Sequence, residues 1–219
     1  MDTSGPRGSV ALGADGAVLA EALLAGSAEQ AARLLPAIDR VLGEAGVART
    51  ALGGLVVGEG PGSFTGVRVA AATAKGLAAA LRLPLWAVSS LAAAALASDA
   101  GPVRYALFDA RADRVYGACF AVGVDRVRTL VAPHPGTVRD VLDGTVPAGA
   151  VFVGDAAERH RRLIERAGFS VSPNGAGASL ARGLLRYVAL NAAAPAVSDV
   201  GSWEPAYVRA SSASTSWTG

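Results

Sequence analysis

Gly53-Gly-Leu-Val-Val-Gly-Glu-Gly-Pro-Gly-Ser-Phe-Thr-Gly-Val-Arg-Val-Ala-Ala-Ala-Thr-Ala-Lys-Gly-Leu77 reads as a short apolar strand, a glycine-rich loop and an alanine-rich helix. Gly58, Gly60, Gly62 and Gly66 surround Pro61. Glycine takes positive φ without steric cost, so a backbone built this way can turn sharply and pass close to a ligand or to another backbone. Two familiar phosphate loops fail by spacing. A P-loop needs Gly, four residues, Gly, then Lys and Ser or Thr, but the residue five before Gly66 is Pro61 and the residue after it is Val67. The dinucleotide fingerprint needs a third glycine five positions after the first, where Gly58 leads to Ser63 and Gly60 to Thr65. Nor does Ser63 sit in a Gly-x-Ser-x-Gly nucleophile elbow, because Gly62 adjoins it and Phe64-Thr65 follow. Ser63 is read as a helix N-cap, with Thr65 a competing cap.

The rest of the chain frames this segment. Its 219 residues suffice for one large domain or two small ones. Hydrophobic residues make up 52% and charged residues 17%, which places the chain on the globular side and makes disorder the wrong default. The net charge is only +2, with arginines scattered through the sequence, so a nucleic-acid surface is left open but not indicated. Arg68, Lys75, Arg82 and Asp99 interrupt the Ala-rich stretches, and no run approaches the ~18–20 apolar residues of a spanning helix. Met1-Asp-Thr-Ser-Gly-Pro6 lacks the apolar core of a signal peptide. The sole cysteine, Cys119, permits no internal disulfide and fits a buried strand position. A cytoplasmic protein that binds no membrane is expected.

Two α/β halves follow from the patterning. Ser9–Leu12 and Val18–Glu21 read as a hairpin around Gly13-Ala-Asp-Gly16. A helix capped by Ser27 runs to about Glu44, with Ala31, Leu34, Leu35, Ile38, Val41 and Leu42 on one face. Leu55–Val57 is a strand, 65–82 a helix, Leu85–Val88 a strand, and Ser89 or Ser90 starts a helix to about Ala97. Ala100-Gly-Pro102 breaks the pattern, dividing residues 1–101 from 102–219. Beyond it come strands at Val103–Phe108, Val115–Val122 and near Val127–Val131, a loop around Pro133–Gly136, and a short helix at 137–143. A strand at Val151–Val153 and helices at 156–167 and near 179–193 complete the reading, with 210–219 as a frayed tail. The repeated order of strands and helices suggests a duplicated ribonuclease H-like unit.

Gly60-Pro-Gly-Ser-Phe-Thr-Gly-Val-Arg68 followed by Ala74-Lys-Gly-Leu77 closely resembles the TsaB (YeaZ) family of tRNA-modification proteins. Asp2-Thr-Ser-Gly-Pro-Arg-Gly-Ser-Val-Ala-Leu12 is similar to that family's opening hairpin, and Pro84-Leu-Trp-Ala-Val-Ser-Ser-Leu-Ala-Ala93 to its next strand and helix start. Phe108-Asp-Ala-Arg-Ala-Asp-Arg-Val-Tyr116 resembles the start of its second half, and Pro205-Ala-Tyr-Val-Arg209 its closing motif. The resemblance implies an actin-like (ASKHA) fold, two tandem ribonuclease H-like lobes with mixed sheets flanked by helices. It also implies a non-catalytic subunit that binds and supports TsaD, which transfers threonylcarbamoyl to N6 of the adenosine beside the anticodon. A TsaE-type ATPase joins that assembly, the chain pairs with itself when TsaD is absent, and tRNA is met through the complex. The other class of function is an independent enzyme, a glycoprotease-like hydrolase or a weak ATPase. In the family Asp-Thr-Ser ends a buried first strand, whereas here Asp2 follows Met1, so coding sequence upstream for that strand is expected.

The resemblance and the residues together define the candidate sites. TsaD holds a metal with a His-x-x-x-His pair, whereas the only histidines here, His134 and His160, lie far apart, so no metal site is expected; His134 is read as a loop residue and His160 as lying on a solvated helix face. By resemblance to the fold superfamily, Asp2-Thr3-Ser4 occupies a first phosphate loop and Asp109-Ala-Arg111 a second, and Gly154-Asp155 adjoins them. The alternative is that these residues only terminate strands and cap turns. No cofactor is required by the chain alone, with ATP or ADP at the complex interface as the expected ligand. In the 65–82 helix, Gly66, Ala70, Ala74, Leu77 and Leu81 share a stripe beside Val69, Thr73, Gly76 and Ala80, and small residues at that spacing admit a second helix. The family pairs its first-lobe helices with TsaD. That assigns Arg68, Ala70, Thr73, Ala74, Leu77 and Leu81 to the partner interface, with the 29–44 helix beside them and Arg68 and Lys75 as a charged edge. Ala70→Arg with Ala74→Arg is expected to break the complex and leave the fold intact.

Overall fold

A computed structural model of the chain describes residues 1–24, 26, 29–172 and 179–206. The Ser27 cap, the end of the Pro205–Arg209 motif and the 210–219 tail lie outside the described residues.

The first strands, β1 (Gly8–Ala14) and β2 (Ala17–Leu24), form an antiparallel hairpin about Asp15-Gly16, both at positive φ. Helix α1 (Gln30–Glu44) lies on it through Leu34, Ala37 and Val41. Ala31 and Leu35, expected on that face, are exposed, because the core takes only a narrow stripe of the helix. β3 (Leu55–Gly58) and β4 (Leu85–Val88) are parallel and joined by α2 (Phe64–Leu81), a βαβ crossover. Met1–Asp2 joins hairpin and crossover: Asp2 and Ser9 exchange backbone hydrogen bonds of 3.0 and 2.8 Å, while the Gly58 amide donates to Met1 O at 3.0 Å.

Helix α3 (Ser90–Ala97) leads to β5 (Val103–Asp109), β6 (Arg114–Val122), β7 (Val127–Thr137), α4 (Val138–Asp143), β8 (Ala150–Val153), α5 (Asp155–Arg159), α6 (Arg161–Arg166), β9 (Ser170–Val171) and α7 (Leu180–Leu190). The five strands order as β7-β6-β5-β8-β9, antiparallel through β5 and parallel from β5 to β9, a mixed sheet. Alternation along the strands gives each face its own core. Ala106, Phe108, Ala118 and Phe120 pack on α3 and α7. Tyr105, Leu107, Cys119 and Phe152 pack on α4, α5 and α6. Helix α3 lies between the sheet and α7, which is why every residue from Ser90 to Leu96 is buried. The buried Arg104 guanidinium donates to Ala95 O and Gly101 O, each at 2.7 Å, and to Ser98 O, satisfying carbonyls at the C-terminal end of α3.

Three expectations are corrected. Pro133–Gly136 is part of β7, not a loop; β7 is an edge strand, where proline costs no ladder bond on its outer side. His134 therefore sits in a strand, its Nε2 2.8 Å from the Tyr105 hydroxyl. The helix at 156–167 is two short helices meeting at His160, which is half-buried at the break. Helix α7 lies against α3, β1 and β3, and the chain after it returns along β4 and α2. There the Trp86 indole donates to Ala194 O (3.0 Å) and the Val197 amide to Leu85 O (2.8 Å).

Candidate functional site

The glycine loop is shaped by the chain's own N-terminus. A Cβ at Gly58 would lie 1.8 Å from Asp2 Oδ2, one at Gly66 1.8 Å from Thr3 O, and one at Gly62 2.5 Å from Ser4 O. The two backbones cross at distances that exclude side chains. Hydrogen bonds close the crossing: Ser63 N donates to Ser4 O (2.7 Å), Thr3 Oγ1 to Gly66 O (2.5 Å) and Ser90 N to Gly60 O (2.8 Å). Ser63 caps α2 as expected, its Oγ accepting from Gly66 N at 3.3 Å. Thr65 is exposed in the first turn.

Asp2 is fully buried and its carboxylate is engaged on both oxygens. Oδ1 accepts from Ser4 N and Ser4 Oγ, each at 2.7 Å, and Oδ2 from Ser90 Oγ at 2.6 Å. Ser90 Oγ accepts in turn from Gly60 N at 3.1 Å. A charge without solvent must be hydrogen-bonded, and here it ties the N-terminal segment, the glycine loop and α3 together.

In front of this knot lies a cleft of about 640 Å³, walled by Ser4, Ser63, Phe64, Asp109, Arg111 and Asp155 among others. Of the five residues expected at phosphate, Ser4, Asp109 and Arg111 line it. Asp2 and Thr3 lie behind it, fully buried. Asp109 Oδ1 accepts from Arg111 N (2.8 Å) and Oδ2 pairs with Arg159 Nη1 at 2.6 Å. The Asp109 amide donates to Asp155 Oδ1 at 3.3 Å, and burial holds the Asp155 carboxyl above its ordinary range. Arg111, Ala112 and Asp113 all have positive φ, a strained turn at the cleft rim that the Asp109 carboxylate braces. Sequence reading missed Arg159; its signal was the basic run Arg159-His-Arg-Arg162. It also missed Phe64 and Tyr116 as aromatic walls.

Helix α2 has two faces, and the interface expectation divides between them. Ala70 and Ala74 are fully buried against Val57 and Leu85 of the chain's own sheet. Both therefore belong to the core, because the βαβ crossover presses its smallest stripe onto the strands. Thr73, Leu77 and Leu81 are half-buried. The outer face carries Arg68, Ala72, Gly76 and Ala79, with Arg68 stacked over the Phe64 ring at 3.9 Å. Lys75 does not share a charged edge with Arg68: its Nζ donates to Gly201 O (2.7 Å) and Trp203 O (2.9 Å), holding the returning chain. Helix α1 is the neighbour of α2, and Leu35 (52% exposed) and Leu19 (51%) are large apolar side chains exposed in this half, as is Phe64 (56%) beneath Arg68.

Among the described residues no three of His, Cys, Asp and Glu converge on a metal-sized space, and no helix is long and apolar enough to cross a membrane.

Comparison with known proteins agrees with this architecture. The model of the family described as TsaD, tRNA N6-adenosine threonylcarbamoyltransferase, matches residues 25–211. The tRNA threonylcarbamoyladenosine biosynthesis protein TsaB of Bacillus subtilis is 30% identical over 168 residues, covering 75% of this chain and 73% of that protein. TsaB of Escherichia coli is 39% identical over 121 residues, 54% of this chain and about half (52%) of that one. The structure of YeaZ from Pseudomonas aeruginosa superposes with a TM-score of 0.79 at 29% identity, covering 94% of this chain and 96% of its own. Family model, sequence and fold concur, and the chain belongs to the TsaB (YeaZ) family.

Proposed function

We propose that this chain is an accessory subunit of the assembly that makes threonylcarbamoyladenosine in tRNA, and that it supports a TsaD-type catalytic partner from the outer face of α2 and the adjoining α1. The observation that carries the reading is its likeness to the Bacillus subtilis TsaB along three quarters of its length. Gly76 adds a physical argument. A mid-helix glycine costs about 0.5–1 kcal/mol relative to alanine, yet a Cβ there would meet nothing within 4 Å. Close approach of a second helix over Ala72, Gly76 and Ala79 gives that cost a reason.

In this reading the two halves form the actin-like pair of lobes, the chain works in the cytoplasm, and the same face pairs two copies when TsaD is absent. A TsaE-type ATPase joins the assembly, and ATP or ADP occupies the cleft rimmed by Ser4, Asp109 and Arg111 or its continuation into the partner. Nothing in the enclosed Asp2 network favours an independent hydrolase or ATPase.

The test is light scattering of the protein mixed with TsaD from the same source, alongside threonylcarbamoylation of tRNA with and without this chain. Ala72→Arg with Gly76→Arg is expected to abolish the complex at a melting temperature no lower than that of the wild type, whereas Ala74→Arg unfolds the protein. A complex that survives the Ala72/Gly76 substitutions refutes the assignment.

A further inference from the structure

The sequence scatters its arginines, but the fold gathers several of them. Arg159 ends α5, and Arg162 and Arg166 stand one turn apart on α6, all exposed beside one shallow groove of about 450 Å³. The acids of the segment, Glu158 in the groove and Glu165, are both paired with Arg161. Arg161, which also lines the groove, takes both Glu158 (2.6 Å) and Glu165 (3.2 Å) and donates to Val171 O at 3.0 Å. Arg162 and Arg166 are left with no hydrogen bond or ion pair among the described residues. Arg159 reaches the other way and pairs with Asp109 on the cleft rim. A line of guanidinium groups thus leads from the cleft along the helical layer of the second half.

We propose that Arg159, Arg162 and Arg166 form a contact surface for the phosphate backbone of RNA. This rests on the reading of the chain as a tRNA-modification subunit and goes beyond it, because it makes the subunit touch the tRNA directly. The chemistry favours a polyanion. The exposed guanidinium groups of Arg162 and Arg166 have no acidic partner among the described residues, and Arg159 has only a surface pair worth little, but all three release counterions when they neutralise phosphates. Guanidinium also meets phosphate with two parallel donors.

The test is fluorescence anisotropy of a labelled tRNA transcript titrated with the protein, alone and in complex with TsaD, over a series of salt concentrations. Arg162→Glu with Arg166→Glu is compared with Arg126→Glu and Arg128→Glu at the opposite edge of the sheet, an equal change in charge. Binding by the Arg162/Arg166 variant is expected to fall about ten-fold or more near 0.1 M salt, and the slope of log affinity on log salt to drop by about 2. The control should retain most of both. Equal loss in the control, no loss in the variant, or no RNA binding by the wild type in either form overturns the inference. So does competition by polyglutamate as strong as by tRNA, which would assign the row to an acidic polypeptide. Failure of the subunit reading is seen separately, as no complex with TsaD and no dependence of tRNA modification on the chain.

Discussion

Two glycines of α2 look alike in the sequence, and the structure predicts opposite outcomes for them. At Gly66 a methyl group would lie 1.8 Å from Thr3 O, more than an ångström inside the 3.0 Å below which real Cβ contacts essentially do not occur. Helix α2 is packed on β3 through Ala70 and Ala74 of the same stripe, so its retreat would open that core and the Thr3 backbone must give way. Moving it disturbs the Thr3 Oγ1 bond to Gly66 O and pulls on Asp2, whose carboxylate holds three donors. A neutral hydrogen bond is worth about 1 kcal/mol and one to a charged group about 1.5–3 kcal/mol, so losing one of each on Gly66→Ala should cost about 2.5–4 kcal/mol. At Gly76 the added methyl meets nothing, and removing a mid-helix glycine should stabilise the chain by about 0.5–1 kcal/mol. For a chain of this size that raises the melting temperature by about 1–4 °C. Urea unfolding of the three proteins, followed by circular dichroism at equal m-value, decides the matter. A Gly66→Ala protein as stable as the wild type would refute the idea that the glycine loop exists to let the N-terminal segment through.

Other outcomes follow from single side chains. Burial pushes the Cys119 thiol up to about 11, and the residue is fully enclosed, so a disulfide reagent near pH 8 should leave the native protein untouched and titrate one thiol after denaturation; rapid native labelling would contradict the β5–β6 core. Burial also holds the Asp155 carboxyl above its ordinary range, so the folded state keeps a proton that the unfolded chain has already released. Stability should therefore fall as pH rises from about 4, the unfolded value, through the raised folded one, and Asp155→Asn should remove that falling limb. Urea midpoints across this window that decline equally in both proteins would place the effect elsewhere.

Local structure was legible where it depended on neighbours along the chain. Asp15-Gly16 announced its turn, Ser63 its cap, and the short apolar runs Val103–Phe108 and Val115–Val122 their strands, since turn chemistry, capping and a strand's apolar run act over a few residues. The run Pro133–Gly136 misled because proline's cost depends on whether the strand has a neighbour on that side, which only the sheet order reveals. The α5–α6 break is likewise reported only by the structure: the periodicity of 156–167 passes straight through His160.

The sequence by itself determined the family, the α/β class and the glycine loop's need to meet something closely, because motif order and backbone permissiveness are written in residue types. Only the tertiary structure decided what the loop meets and which face of α2 is free. Gly66, Ala70 and Ala74 face Thr3 and the β3–β4 sheet, while Ala72 and Gly76 face outward, although all five are small residues in one helix. Composition records size and polarity but not direction; the direction is set by which side of the crossover the sheet covers.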